Sequence, residues 1–154
     1  MGRKPLGAHP KMSVQIRTDA IIRTWLKPVL RQNAQMSASR MLECLLLMAR
    51  WHYAAAEEGV IVRKICKAKQ QRLEYISKLG KEPEQVLVHL TIDKGICEFA
   101  DMFKRKFPLL IGSRNELATI LLYTAAGYCT DAQRLSYLTR RLEQASHAYL
   151  PPQG

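Results

Sequence analysis

The sequence predicts a mostly helical chain that holds two short strands, and three observations predict it. In KMSVQIRTDAIIRTW, Val14, Ile16 and Thr18 alternate with Ser13, Gln15 and Arg17, after which Ile21, Ile22, Trp25 and Leu26 recur at helical spacing. The same change of period recurs around Val88, Leu90 and Ile92. Elsewhere the apolar residues keep helical spacing between Gly and Pro punctuation.

The first strand, Ser13 to Thr18, cannot bond its own backbone groups, and even an isolated two-stranded hairpin is marginal in water, so it needs a partner strand. Asp19 stands where strand gives way to helix, a position from which a carboxylate can accept an orphan amide. Pro28, about nine residues on, would remove a helical backbone bond at a cost of about 3 kcal/mol, so the helix either starts late or is kinked. A second helix runs through SRMLECLLL, Ser39 to Leu47.

After Gly59, residues Ile61, Ile65, Ala68, Ile76 and Leu79 form one apolar face, which predicts a helix over Val60 to Leu79 ending at Gly80, with a turn at Pro83. Arg63 to Lys81 carries seven basic residues and one acid, Glu74, and reads equally as a solvated connecting helix or a phosphate-facing strip. The second strand lies in VLVHLTID, Val86 to Asp93; Gly95 weakens the helix behind it by about 1 kcal/mol relative to alanine. Pro108 and Gly112 flank a loop, and Ser113 with Glu116 three residues later is a capping-box pattern before LATILLYTAA. A last amphipathic helix puts Leu135, Leu138 and Leu142 inward and Arg134, Arg140 and Arg141 outward, until Pro151 and Pro152 stop it.

The two strand-to-helix segments are a repeat. At an offset of 74, Val14 to Arg31 falls on Val88 to Arg105 without a gap: Val14 meets Val88, Ile16 Leu90, Asp19 Asp93, Ile22 Ile96, Trp25 Phe99, Val29 Phe103 and Arg31 Arg105. The following helix can be aligned at the same offset, Ser39 with Ser113, or with Ser37 and Ser113 as the two N-caps and Met41 against Leu117. The expected organisation is a basic flexible arm at 1–12, a first repeat at 13–58, a basic connecting helix at 59–85, a second repeat at 86–129, and a C-terminal helix at 130–150 packing on the same domain.

With 154 residues, 47% of them hydrophobic, the chain has the composition of a folded protein. Twenty-four Lys and Arg against 13 Asp and Glu leave a net charge of +11, which favours nucleic acid or an anionic surface as a partner. The longest apolar run, Met41 to Ala49, contains Glu43 and is far short of a spanning helix, and no apolar stretch of signal-peptide kind follows the basic N-terminus; a cytoplasmic protein is expected. Cys44, Cys66, Cys97 and Cys129 have no metal-ligand spacing and read as reduced, mostly buried residues; no metal and no cofactor are expected. Without a Gly-rich phosphate loop or nucleophile elbow, the chain is not expected to be an enzyme, and adjacent Glu57 and Glu58 read as surface acids.

VQIRTD followed by SASRMLECLLL, and VHLTID followed by GSRNELATILL, resemble the ribbon-helix-helix family of DNA-binding proteins, of the MetJ and Arc type, over Ser13 to about Tyr53 and Leu87 to about Tyr128. Two copies in one chain are similar to the tandem form found in TraY-type proteins of bacterial DNA transfer. The resemblance implies a mostly α fold with one two-stranded antiparallel β-ribbon, a tandem ribbon-helix-helix pseudodimer, in which Ser13 to Thr18 pairs with Leu87 to Ile92 and the ribbon enters the major groove. Pleat alternation then turns Val14, Ile16, Val88, Leu90 and Ile92 to the core and leaves Gln15, Arg17, His89 and Thr91 to read bases. Arg17 suits guanine O6 and N7, Gln15 adenine N6 and N7, and Thr91 a thymine methyl. Phosphates would be met by Ser37, Ser39 and Arg40 and by Ser113, Arg114 and Asn115 at helix starts, and by the arm residues Arg3, Lys4 and Lys11. A protein resembling this family is expected to bind double-stranded DNA sequence-specifically, as a transcription regulator of bacterial or mobile-element type. The alternatives are an accessory protein of a conjugation or mobilisation complex, or an antitoxin-like interaction module.

Overall fold

The segments of alternating period form the two strands. In the computed structural model, which describes residues 11–32 and 36–148, β1 (Lys11–Asp19) is antiparallel to β2 (Gln85–Asp93), with Val14 opposite Leu90 and Ile16 opposite Val88. Ile16, Leu90 and Ile92 are buried and Val14 and Val88 half-buried, so the apolar side of the pleat faces the core as the alternation requires. β1 begins two residues before the expected start, taking in Lys11 and Met12.

Seven helices complete the described chain: α1 (Ile21–Trp25), α2 (Lys27–Gln32), α3 (Ala38–Ala55), α4 (Glu58–Leu79), α5 (Lys94–Lys106), α6 (Arg114–Tyr128) and α7 (Ala132–Ala148). Pro28 accounts for the break between the first two. It cannot donate to the carbonyl of Thr24, so α1 ends at Trp25 and α2 restarts at Lys27 with Pro28 in its first turn, where the missing amide costs little. Ser37 and Ser113 are the N-caps of α3 and α6, accepting from the amides of Arg40 and Glu116 at 3.1 Å in each case, which selects the second of the two repeat alignments. α4 ends where Gly80 takes the left-handed conformation at φ 71°.

The expected tandem ribbon-helix-helix pseudodimer is not the fold of this chain. Two strand-helix-helix units supply four helices, whereas the described residues form seven, and the additional ones are structural walls. Ile61, Ile65 and Ala68 of α4 and Leu138, Leu142 and Ala145 of α7 are buried in the same apolar cluster as Ile22, Val29, Leu45, Ile96 and Leu117. α4 packs on α6, and α7 on α3. The chain is mostly helical with one two-stranded antiparallel ribbon, but its core belongs to all the elements together.

Two further expectations change. Asp19 caps no helix: the N-cap of α1 is Ala20, without a side-chain cap, and Asp19 is buried inside the protein. The capping box is only half formed, because Glu116 turns away to pair with Lys69 at 3.0 Å, whose ammonium also donates to the Leu110 carbonyl at 2.8 Å. Of the cysteines, Cys44 and Cys97 are buried, while Cys66 on α4 is exposed. The side chain of Asp93 and residues Pro151 and Pro152 lie outside the described residues. No helix among the described residues is long and apolar enough to cross a membrane.

Candidate nucleic-acid interface

Since strand side chains alternate between faces, the burial of Ile16, Leu90 and Ile92 turns their neighbours outward. Gln15 stands directly opposite His89, Ser13 opposite Thr91, and Arg17 opposite Leu87; all six are exposed. The structure therefore brings Gln15, Arg17, His89 and Thr91 together on one face of the ribbon. The expected base-reading set left out Ser13, which the alternation already placed beside Gln15 and Arg17, and Leu87, which is 44% exposed. Leu87 breaks the polar pattern, although the alternation of its own strand places it.

The ribbon is held along its two edges by the starts of two helices. Ser39 in the first turn of α3 donates its hydroxyl to the His89 carbonyl at 2.7 Å. Asn115 in the first turn of α6 accepts from the Arg17 amide through Oδ1 at 3.2 Å. The backbones that carry His89 and Arg17 are thus fixed by α3 and α6, while their side chains face out.

These bonds change the expected phosphate set. Ser39 and Asn115 position the ribbon. Arg114 grips Asp101 with two hydrogen bonds, Nε to Oδ1 at 2.8 Å and Nη2 to Oδ2 at 2.7 Å, so its guanidinium is already engaged by a carboxylate. Those hydrogen bonds hold the Asp101 carboxyl below its ordinary range, against the opposing effect of its burial. Arg40 reaches the Ser146 hydroxyl on α7 at 3.3 Å. Ser37 and Ser113 are occupied as caps, although the amides of Arg114 and Asn115 at the start of α6 have no partner within that helix. Gln15, Ser113, Asn115 and Lys104 line one groove beside β1, and Lys104 supplies there an exposed cation that helix-start reasoning could not find, because it comes from the end of α5. Arg3 and Lys4 lie outside the described residues, and Lys11 is described only by its backbone, in β1.

Of the seven basic residues between Arg63 and Lys81, two are structural. Lys69 pairs with Glu116, and Arg72 donates to Asp19 through Nε at 2.7 Å and Nη2 at 3.3 Å. Arg63, Lys64, Lys67, Lys78 and Lys81 are exposed.

Comparison of the chain with protein-family models, with curated proteins and with solved structures gave no match.

Proposed function

We propose that this protein binds double-stranded DNA with sequence preference, laying the outward face of its ribbon in the major groove, as a transcription regulator of bacterial or mobile-element type. The observation that carries the reading is the ribbon face itself. Gln15 and His89 stand opposite one another, flanked by Arg17 and Thr91, on a strand pair bonded to the first turns of α3 and α6. A two-stranded ribbon has the width the major groove admits, and these side chains include the donors and acceptors that base edges match. A chain of net charge +11 supplies the attraction to phosphate that positioning requires. Gln15 and Arg17 on one strand, against His89 and Thr91 on the other, present unlike chemistry, so a bound site need not be palindromic.

Selection of bound duplexes from a random pool, with Arg17→Ala beside the parent, tests the proposal. Base reading by Arg17 relaxes preference at one position, worth about 1 to 3 kcal/mol. Uniform weakening across sequences makes Arg17 a phosphate contact. Absence of binding to any duplex at low salt overturns the reading.

A further inference from the structure

Away from the ribbon, α3, α4, α5, α6 and α7 line a half-open cavity of about 170 Å³. An apolar cavity of about 150 Å³ is large enough to hold one benzene ring. Its walls include Leu45, Phe103 and Ile120, and its aromatic side is built by Tyr53 standing edge-on to Phe103 at 5.4 Å and by Tyr128 stacked on Tyr137 at 6.0 Å. Such walls favour a flat ring, which can meet them edge-on or offset-stacked.

The hydroxyl-bearing side chains Tyr53, Thr124, Tyr128 and Tyr137 line this cavity, Thr124 donating to the Ile120 carbonyl at 2.8 Å, and its nitrogen-bearing side chains are the ones that suit an anion. His52 lines it, and its Nε2 is buried without a hydrogen-bond partner among the described residues. Lys64 from α4 and Arg141 from α7 also line it; Lys64 is exposed, and Arg141 lies over the Trp51 ring at 5.8 Å. Burial and the Lys64 charge both push the His52 imidazole below its ordinary range, which keeps it neutral beside that cation. Among the described residues no carboxylate lines the cavity.

We infer that this cavity is a binding site for a small aromatic carboxylate, whose ring fills the space between α3 and α6 while its anionic end meets Lys64 and Arg141. The inference is tested apart from DNA binding, because no ribbon residue lines the cavity and binding is read without DNA.

The test is calorimetric titration of the full chain with sodium benzoate, with benzyl alcohol as the uncharged comparison. The expected result is one benzoate per chain, binding more tightly than the alcohol. Lys64→Met, at an exposed position that folding tolerates, weakens benzoate by about tenfold, the scale of one lost charge-assisted hydrogen bond. Ala49→Phe, from a half-buried position on the cavity wall, abolishes binding of both compounds. Should that variant fail to fold, Lys64→Met and the alcohol comparison still decide. No benzoate binding at about 10 mM, where a ligand of this size still registers, overturns the inference. So does benzyl alcohol binding as well as benzoate, or an unaltered affinity in Lys64→Met.

Discussion

Asp19, 1% exposed at the end of β1, collects hydrogen bonds from three side chains: Arg72, Gln85 at 3.2 Å and the Tyr123 hydroxyl at 2.8 Å. Burial alone would raise its carboxyl, but the bonds from Arg72, Tyr123 and Gln85 outweigh burial and hold it below its ordinary 3.8. The same contact, after burial, raises the Tyr123 phenol. A carboxyl depressed on folding contributes stability that is present above its unfolded pKa and is lost as pH falls through the folded one. Acid titration should therefore show stability falling as pH drops below 3.8. Tyr123→Phe keeps the ring against Trp25, whose centroid lies 5.6 Å away, and removes only the donor. Urea denaturation at neutral pH should find it destabilised by about 1.5 to 3 kcal/mol, the range for a hydrogen bond to a charged group. A loss near zero would mean that water replaces the phenol at a site the structure shows as closed.

Among the elements, α3 and α6 each do two things: their first turns pin the ribbon through Ser39 and Asn115, and their later turns wall the cavity. α4 depends on its ends in a different way. It stops because Gly80 adopts φ 71°, and a Cβ there would meet nothing within 4 Å, so the only obstacle to a side chain is the backbone conformation itself. Gly80→Ala is expected to cost about 1 to 2 kcal/mol in a chemical melt without changing the fold, the penalty for an L-residue held in the left-handed region. Helix ends were legible in sequence at Gly80 and Ser113, whereas the start of α3 at Ser37 was one of two alternatives until the structure decided it. Pro28 was legible as a fault in a helix, but whether the chain would kink or begin again depended on Val29 finding its place in the core.

Over the whole molecule, charge and core have separate owners. The core is one cluster shared by both strands and all the helices, while the exposed cations are spread over the surface, among them Arg17 on the ribbon, Arg23, Lys27 and Arg31 on α1 and α2, Arg63, Lys64, Lys67 and Lys78 along α4 with Lys81 just past it, Lys104, Arg105 and Lys106 at the end of α5, and Arg134 and Arg140 on α7. If this distribution neutralises about six phosphates, affinity for a duplex should fall about a thousandfold between about 50 and 200 mM salt. Fluorescence anisotropy across that range checks it, and a flat response would leave the net charge of +11 without a part in DNA binding. The repeat predicted two like units, and the strands do correspond, Lys11–Asp19 with Gln85–Asp93. Self-similarity in sequence nonetheless says nothing of what fills the space between the copies, and there α4 and α7 became part of the core.

By itself the sequence determined the alternation of both strands, the apolar faces of α4 and α7, and the ribbon residues Gln15, Arg17, His89 and Thr91 that turn outward, because side-chain direction in a strand or helix follows from period alone. Tertiary structure alone decided that Asp19 is a buried hub, that Arg72, Lys69 and Arg114 are spent on carboxylates, and that His52 and Lys64 meet at one cavity. In each of these the partners are distant along the chain, as Asp19 and Tyr123 are, and local sequence carries no record of which charge a long side chain will meet once the helices have packed.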